Sequence, residues 1–331
     1  MKKYIFFRTD RIGDFLMSAV LFKSIKRSDP KSKIIIVTSK NNHNYIKNSK
    51  LIDEAILYPE TIIKKILFYL NFFFQKFYLV GILDGKKRSI YFSFFVRAQF
   101  KFLFTYKNFY KVIFKIFFTK IFFDRDFSNK LSEIKALLKF LNFDFINEDL
   151  NTINNKQVLN RSINLLNSNN FILFHLDEKW IFKDYIQSYN SIEPKNEENF
   201  FNFLKKIILK SNLDLVITTG FKKNKFIYYL KKKFKFISNN VYFFNVNNNK
   251  IFLYDNLSFF DLEKLILLCN TIVTCHGAPS HVAASFEKKI IDIIDNSERE
   301  FFLKWTSHFR NHHLISRQNF DLITYEIIDL L

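Results

Sequence analysis

Two stretches carry residues whose types and spacing suit chemistry on a phosphorylated or otherwise anionic substrate. In Tyr4–Leu21 (YIFFRTDRIGDFLMSAVL), Arg8 and Arg11 are forked donors fitted to phosphates and carboxylates. Gly13 supplies a position where backbone can turn sharply or approach a ligand, and Asp14 is a carboxylate able to take a proton from a hydroxyl. Asp14 suits a helix cap equally well, since an acid complements the N-terminal dipole, and both roles stay open. In the second stretch, TIVT (271–274) runs into Cys275-His276-Gly277-Ala278-Pro279, and Ser280 stands where a helix N-cap belongs. Backbone N–H groups there would face a phosphate. His276 and His281 flank the turn, although a histidine at a helix start is as readily bonded to backbone. Lys179, in Asp177-Glu178-Lys179-Trp180, is either another cation for a phosphate or a solvated surface lysine. The five histidines between 276 and 313 lack metal-type spacing, so no metal site is expected. No G-x-G-x-x-G or Walker A lysine is present.

These residues need strands and helices to hold them. Tyr4–Phe7 reads as a buried strand and the apolar spacing from Phe15 as a helix; Lys33–Thr38, Asp53–Leu57 and Phe77–Leu83 read as further strands. The last runs into Asp84-Gly85-Lys86-Lys87-Arg88, and the alternation predicts a parallel sheet with helices on both faces. Lys101–Phe123 reads as one helix with a narrow basic stripe of Lys107, Lys111, Lys115 and Lys120. It is either an interfacial helix on an anionic membrane or a core helix with solvated lysines. Leu131–Phe143 is amphipathic, and polar residues follow to Asn170. A second series places strands at Phe171–His175, Asp214–Thr218 (running into Thr219-Gly220), Lys250–Tyr254, Thr271–Thr274 and Ile290–Ile294. Helices are expected at Glu197–Lys210, Lys222–Lys233, Phe260–Cys269 and Ser280–Phe286. The expected division is a domain over 1–150, a linker over 151–170, a second domain over 171–318 and a closing helix over 319–331, with a cleft between the two sheets.

The chain's 331 residues suffice for two such cores. Its net charge of +20 favours polyanionic partners, whether nucleic acid, an anionic bilayer or phosphorylated substrates. The 45 phenylalanines run through the whole chain as a compositional bias, so no single one is informative. Two cysteines without a disulfide framework fit a reducing compartment, and no apolar run reaches the ~20 residues of a spanning helix. The start is too short for a signal peptide, and a cytoplasmic protein is expected.

Taken together, these blocks resemble glycosyltransferase family 9, the lipopolysaccharide heptosyltransferases, over nearly the whole chain. RTDRIGDFLMSAVLFKSIKRSDP resembles the family's opening R-x-x-x-x-G-D loop and helix, LIDEAILY its third strand, and KFYLVGILDGKKRSI its next strand with an Arg-Ser tail. SEIKALLKFLNF is similar to the helix before the family's linker, HLDEKW to its K-x-W-type segment, and LEKLILLCNTIVTCHGAPSHVAASFEKKIIDI to its donor signature. The resemblance implies an α/β fold of the GT-B type: two Rossmann-like domains with parallel sheets facing across a cleft. It implies inverting, metal-independent transfer of a sugar (heptose or related) from a nucleotide-sugar donor to an anionic lipid-linked glycan of the cell envelope. Asp14 falls on the catalytic-base position, Arg8, Arg11 and Gly13 on the acceptor side, and Lys179, Thr219, Gly220, His276, Gly277, Ser280 and His281 around the donor. The basic surface then allows peripheral contact with the inner face of an anionic membrane, and no nucleic-acid partner is expected. The chain departs from the family in carrying Cys275-His276-Gly277 for Asp-Thr/Ser-Gly, an extra Ala278, and Ser18-Ala19 where a proline is common. Competing readings are a GT-B sugar-nucleotide epimerase, a basic nucleic-acid-binding protein and a non-catalytic envelope-assembly protein.

Overall fold

The computed structural model describes residues 1–153, 170–180, 194–220, 225–238 and 240–331. The chain divides into two compact units, Met1–Lys156 and Gln157–Leu331. Most of the segment read as a linker, 154–169, lies outside the described residues, as do 222–224 at the start of the expected basic helix.

The first unit alternates strands and helices: β1 (Lys3–Arg8), α1 (Ile12–Ser28), β2 (Lys33–Thr38), α2 (Lys40–Lys47), β3 (Glu54–Leu57), α3 (Ile62–Phe73), β4 (Lys76–Ile82), α4 (Lys87–Phe95), β5 (Arg97–Thr105), α5 (Asn108–Ile113), β6 (Lys120–Phe123) and α6 (Lys130–Phe140). The six strands form one parallel sheet in the order β3-β2-β1-β4-β5-β6. β1 lies at the centre because YIFF offers apolar side chains to both faces. Phe6 meets Phe22 of α1 with ring centroids 5.0 Å apart, and Phe7 meets Phe92 of α4 on the opposite face, also at 5.0 Å. Gly81 pairs with Phe6 across β4, and a β-carbon there would run into the Phe6 ring. Ring contacts and core packing put α1 and α2 on one face (Phe22 on Phe6, Tyr45 on Phe15) and α3, α4 and α5 on the other with Phe7, the arrangement that right-handed crossovers produce.

Lys101–Phe123 is not one helix. Its first residues lie in β5, paired with β4 and β6; α5 occupies only Asn108–Ile113, and Lys120 opens β6. The lysine spacing is helical locally, but aromatic and β-branched residues flanking it find two strand partners, and tertiary pairing overrides a periodicity. The single basic-striped helix expected over this segment is therefore absent, and only Asn108–Ile113 is α-helical in it.

The second unit carries β7 (Phe171–Leu176), α7 (Glu197–Ser211), β8 (Asp214–Thr219), α8 (Lys225–Lys233), β9 (Lys235–Ser238), β10 (Val241–Val246), β11 (Asn249–Tyr254), α9 (Phe259–Leu268), β12 (Thr271–Cys275), α10 (Ala278–Ser285), β13 (Lys289–Ile294), α11 (Arg299–Thr306), β14 (His312–Ser316) and α12 (Phe320–Leu330). The sheet order is β14-β13-β12-β7-β8-β11-β10-β9, parallel through β11 and antiparallel over the last two strands. β9, β10, α11 and β14 were not expected from the sequence. The hairpin between β10 and β11 turns at Asn247, in the left-handed region (φ 54°) that asparagine tolerates.

Candidate functional site

In an open parallel sheet, ligands collect at the carboxyl ends of strands where the order reverses. In the first unit that point is β1 beside β4. Arg8 ends β1 and is buried; its Nε donates to Ser18 Oγ (2.9 Å) and its Nη1 to Asp10 Oδ2 (2.7 Å) and the Leu83 carbonyl (2.9 Å). Its fork therefore holds the loop together. Thr9 Oγ1 donates to Asp84 Oδ2 (2.6 Å) and accepts from Arg88 Nη2 (2.7 Å), while Lys86 Nζ donates to the Thr9 carbonyl (2.8 Å). The Asp84-to-Ser89 segment after β4 thus clamps the loop after β1.

Arg11 is the N-cap of α1 and is exposed. Asp14 sits in the first turn and accepts the Arg11 backbone N–H at 3.1 Å, so the capping role is present in the geometry. Gly13 lies inside the helix and makes no sharp turn; the glycine with positive φ is Gly85 (φ 57°), in the clamp.

Asp10 was not singled out by the sequence. Burial pushes its carboxyl up to about 6; Arg8 opposes this, and the Asp14 and Asp84 carboxylates reinforce it. Its Oδ1 is buried without a hydrogen-bond partner. The signal was four acids and cations within seven residues.

In the second unit the order reverses between β7 and β12. The turn after β7 is anchored by Trp180, whose Nε1 donates to the His175 carbonyl (3.0 Å). It delivers Lys179 to the loop after β12, where Nζ donates to the His276 carbonyl (2.5 Å). A β-carbon at Gly277 would collide with Lys179 Nζ, so close approach, not a left-handed φ, is what glycine provides there. Burial pushes Asp177 up to about 6 against the pull of Lys179. Gly220, after β8, packs against Asp177 and Glu178 with no room for a side chain. Thr219 Oγ1 donates to Asp255 (3.1 Å).

α10 begins at Ala278 with Gly277 as its cap, so Ser280 is not the N-cap. It stands one turn in, fully buried, donating to Asp292 Oδ1 (2.6 Å). Asp292, in the middle of β13, also engages His276 Nδ1 (2.9 Å) and His312 Nε2 (3.0 Å). Burial alone would raise its pKa, but the two imidazoles hold the carboxyl well below the usual range. An ionised carboxylate only accepts, so both facing ring nitrogens carry protons. His281 packs edge-on to His276 and Phe309, and burial followed by neighbouring imidazoles keeps its pKa well below the ordinary value. Arg317, after β14, is buried; Nη2 donates to the Lys179 carbonyl (2.8 Å) and Nη1 has no partner. Lys179, Arg317 and the start of α10 thus form an electropositive corner. Both cysteines are buried free thiols; burial pushes Cys269 up to about 12 and Cys275 further. Among the described residues, no group of three or more His, Cys, Asp or Glu is arranged to hold a metal.

Of the expected residues, the structure brings Arg8, Arg11, Gly13 and Asp14 to one switch point and Lys179, Gly220, His276, Gly277, Ser280 and His281 to the other. Asp10, Asp292 and Arg317 join them unexpected. A single acid inside an apolar strand (IIDII) was the available signal for Asp292, since a buried carboxylate demands partners.

The fold is α/β of the GT-B type. No family model matches the chain, and no curated protein matches it. Solved structures are similar over its whole length. A glycosyl transferase family 9 protein from Veillonella parvula is 15% identical with a TM-score of 0.65, covering 99% of this chain and 88% of its own. The E. coli heptosyltransferase WaaC with ADP-2-deoxy-2-fluoro heptose is 10% identical with a TM-score of 0.65, covering 99% and 100%. A UDP-GlcNAc 2-epimerase from Methanocaldococcus jannaschii is 12% identical with a TM-score of 0.58, covering 100% and 92%.

Proposed function

We propose that this chain is an inverting, metal-independent glycosyltransferase that moves a heptose or related sugar from a nucleotide-sugar to a lipopolysaccharide core or other lipid-linked envelope glycan. The observation that carries this is the corner where Lys179 Nζ lies against Gly277 at the start of α10, at the switch point of the second sheet. A ligand diphosphate there meets a lysine, a buried arginine and helix N–H groups, fixed positive charge of the kind that steadies a leaving group. His276, His281, Thr219 and Gly220 line the donor side; Ser280 works through Asp292, keeping the loop in shape. Asp14 is the general base for the acceptor hydroxyl. Arg11 and Gly13 receive the acceptor, with Arg8 as the brace behind them. The protein acts in the cytoplasm, peripherally on the inner face of the membrane, without a cofactor.

Thermal-shift screening against ADP-, UDP-, GDP- and CMP-sugars tests the donor, since a ligand that binds only the native state raises its melting temperature. One nucleotide-sugar should stabilise the protein and release nucleoside diphosphate only when a lipid-linked acceptor is added. The full-length likeness to a UDP-GlcNAc 2-epimerase favours a second reading, in which the sugar-nucleotide is converted with no acceptor present. Acceptor-independent turnover would select it.

A further inference from the structure

α3 reads IIKKILFYLNFF, yet only Phe68 and Phe72 are buried in it. Ile62, Ile63, Leu67 and Leu70 face outward, Ile62 and Ile63 at 75% and 73% exposure. Residues 109–117 repeat the pattern, with Phe109, Val112, Ile113 and Ile116 outward and Ile116 at 86%. α4 joins the two: Tyr69 of α3 lies 5.1 Å from Phe92, and Phe94 lies 4.6 Å from Phe117. One face of the first sheet is therefore covered by helices whose outer surface is itself apolar, a surface that water alone does not explain.

Charge says what covers it. Residues 61–123 hold ten lysines, two arginines and one acid, Asp84, a net +11 of the chain's +20. Lys64, Lys87, Lys107 and Lys115 are exposed among the apolar side chains, and Arg97 stacks over Phe73 at 5.1 Å. A second copy would set like charge against like. Among the described residues no helix is long and apolar enough to cross a membrane.

We propose that the α3–α4–α5 face docks on an anionic lipid bilayer, its Ile, Leu and Phe side chains entering the headgroup boundary while the interspersed lysines and arginines meet lipid phosphates. Such surfaces sink about 5–10 Å and need both terms to hold. Helices that follow parallel strands start at the strands' carboxyl edge, and Arg88 of α4 reaches Thr9 there, in the loop that leads to Arg11 and Asp14. A lipid-linked acceptor would arrive there already anchored, a step that rests on the transferase reading; the docking does not.

Flotation of the full chain with vesicles containing phosphatidylglycerol, and with pure phosphatidylcholine vesicles, tests the assignment. Binding should be at least about tenfold stronger to the anionic vesicles and weaken in salt. The Ile63→Glu/Leu67→Glu/Ile116→Glu variant should lose it by at least about tenfold at an unchanged melting temperature. Lys64→Glu/Lys115→Glu should lose the preference for anionic lipid. The assignment is overturned if the wild type floats with neither vesicle, if the apolar variant binds as well, or if ultracentrifugation finds a dimer that this variant dissolves. Vesicle binding without any nucleotide-sugar binding would sink the transferase reading and leave the docking face standing.

Discussion

The loop after β1 and the loop after β12 each lie at the switch point of their own sheet, but they are fixed in opposite ways. The first is held by charges on the loop itself and on its clamp, Arg8, Asp10, Asp84, Lys86 and Arg88. One of these, Asp10, titrates at about 6. The second is held from behind by Asp292, a carboxylate kept ionised by two imidazoles and a hydroxyl. A loop that holds one buried acid raised to about 6, Asp10, suits proton handling, whereas a loop backed by a fixed charge suits a constant field for an anion. The contrast matches the roles proposed for Asp14 and Lys179.

The largest expected effect comes from the proton-handling side. Asp14→Asn keeps an oxygen for the Arg11 N–H, so the melting temperature should hold while kcat falls by ~10³-fold, about 4 kcal/mol in the barrier. Near-normal turnover would remove the catalytic half of the comparison. On the anion side, Lys179→Ala should lower kcat/KM by ~10²-fold, measured with the stabilising nucleotide-sugar. A loss confined to acceptor KM would contradict the donor placement.

Stability sharpens the contrast further. Asp292→Asn sets an amide donor among groups that already donate, which should cost about 2 kcal/mol in urea unfolding. Because the folded pKa of Asp292 is depressed, its contribution is present above the unfolded value of about 3.9 and lost as pH falls below it. That acid slope should vanish in the variant. Asp10 behaves with the opposite sign. Its folded pKa is raised, so between about pH 4 and 6 the native state holds a proton the unfolded chain has released, and stability drops as pH rises. The drop is on the order of 1 kcal/mol after allowing for partial exposure, and Asp10→Asn should flatten it. A carboxyl resonance of Asp10 titrating near 4 would erase the difference between the loops.

Much of the fold was legible because buried parallel strands are continuous apolar runs bounded by polar turns, as in YIFF, KIIIVT and TIVT. The reading failed where long-range pairing decides. Lysines at helical spacing hid β5 and β6, and an asparagine-rich composition masked the turn at Asn247. The candidate site was legible in its loops, since Arg8, Asp14, Lys179 and Gly277 sit at strand ends. Asp10, Asp292 and Arg317 were not, because their importance comes from partners distant in sequence: Arg317 reaches Lys179, and Asp292 gathers His276 from one strand end and His312 from another.

The two thiols, Cys269 in the α9 cap and Cys275 at the end of β12, are both shielded and both disfavour the thiolate that alkylating reagents attack. The folded chain should therefore be nearly inert to such reagents until it opens. It thereby carries its own clock for local unfolding, one of whose hands lies at the base of the loop proposed to grip the donor.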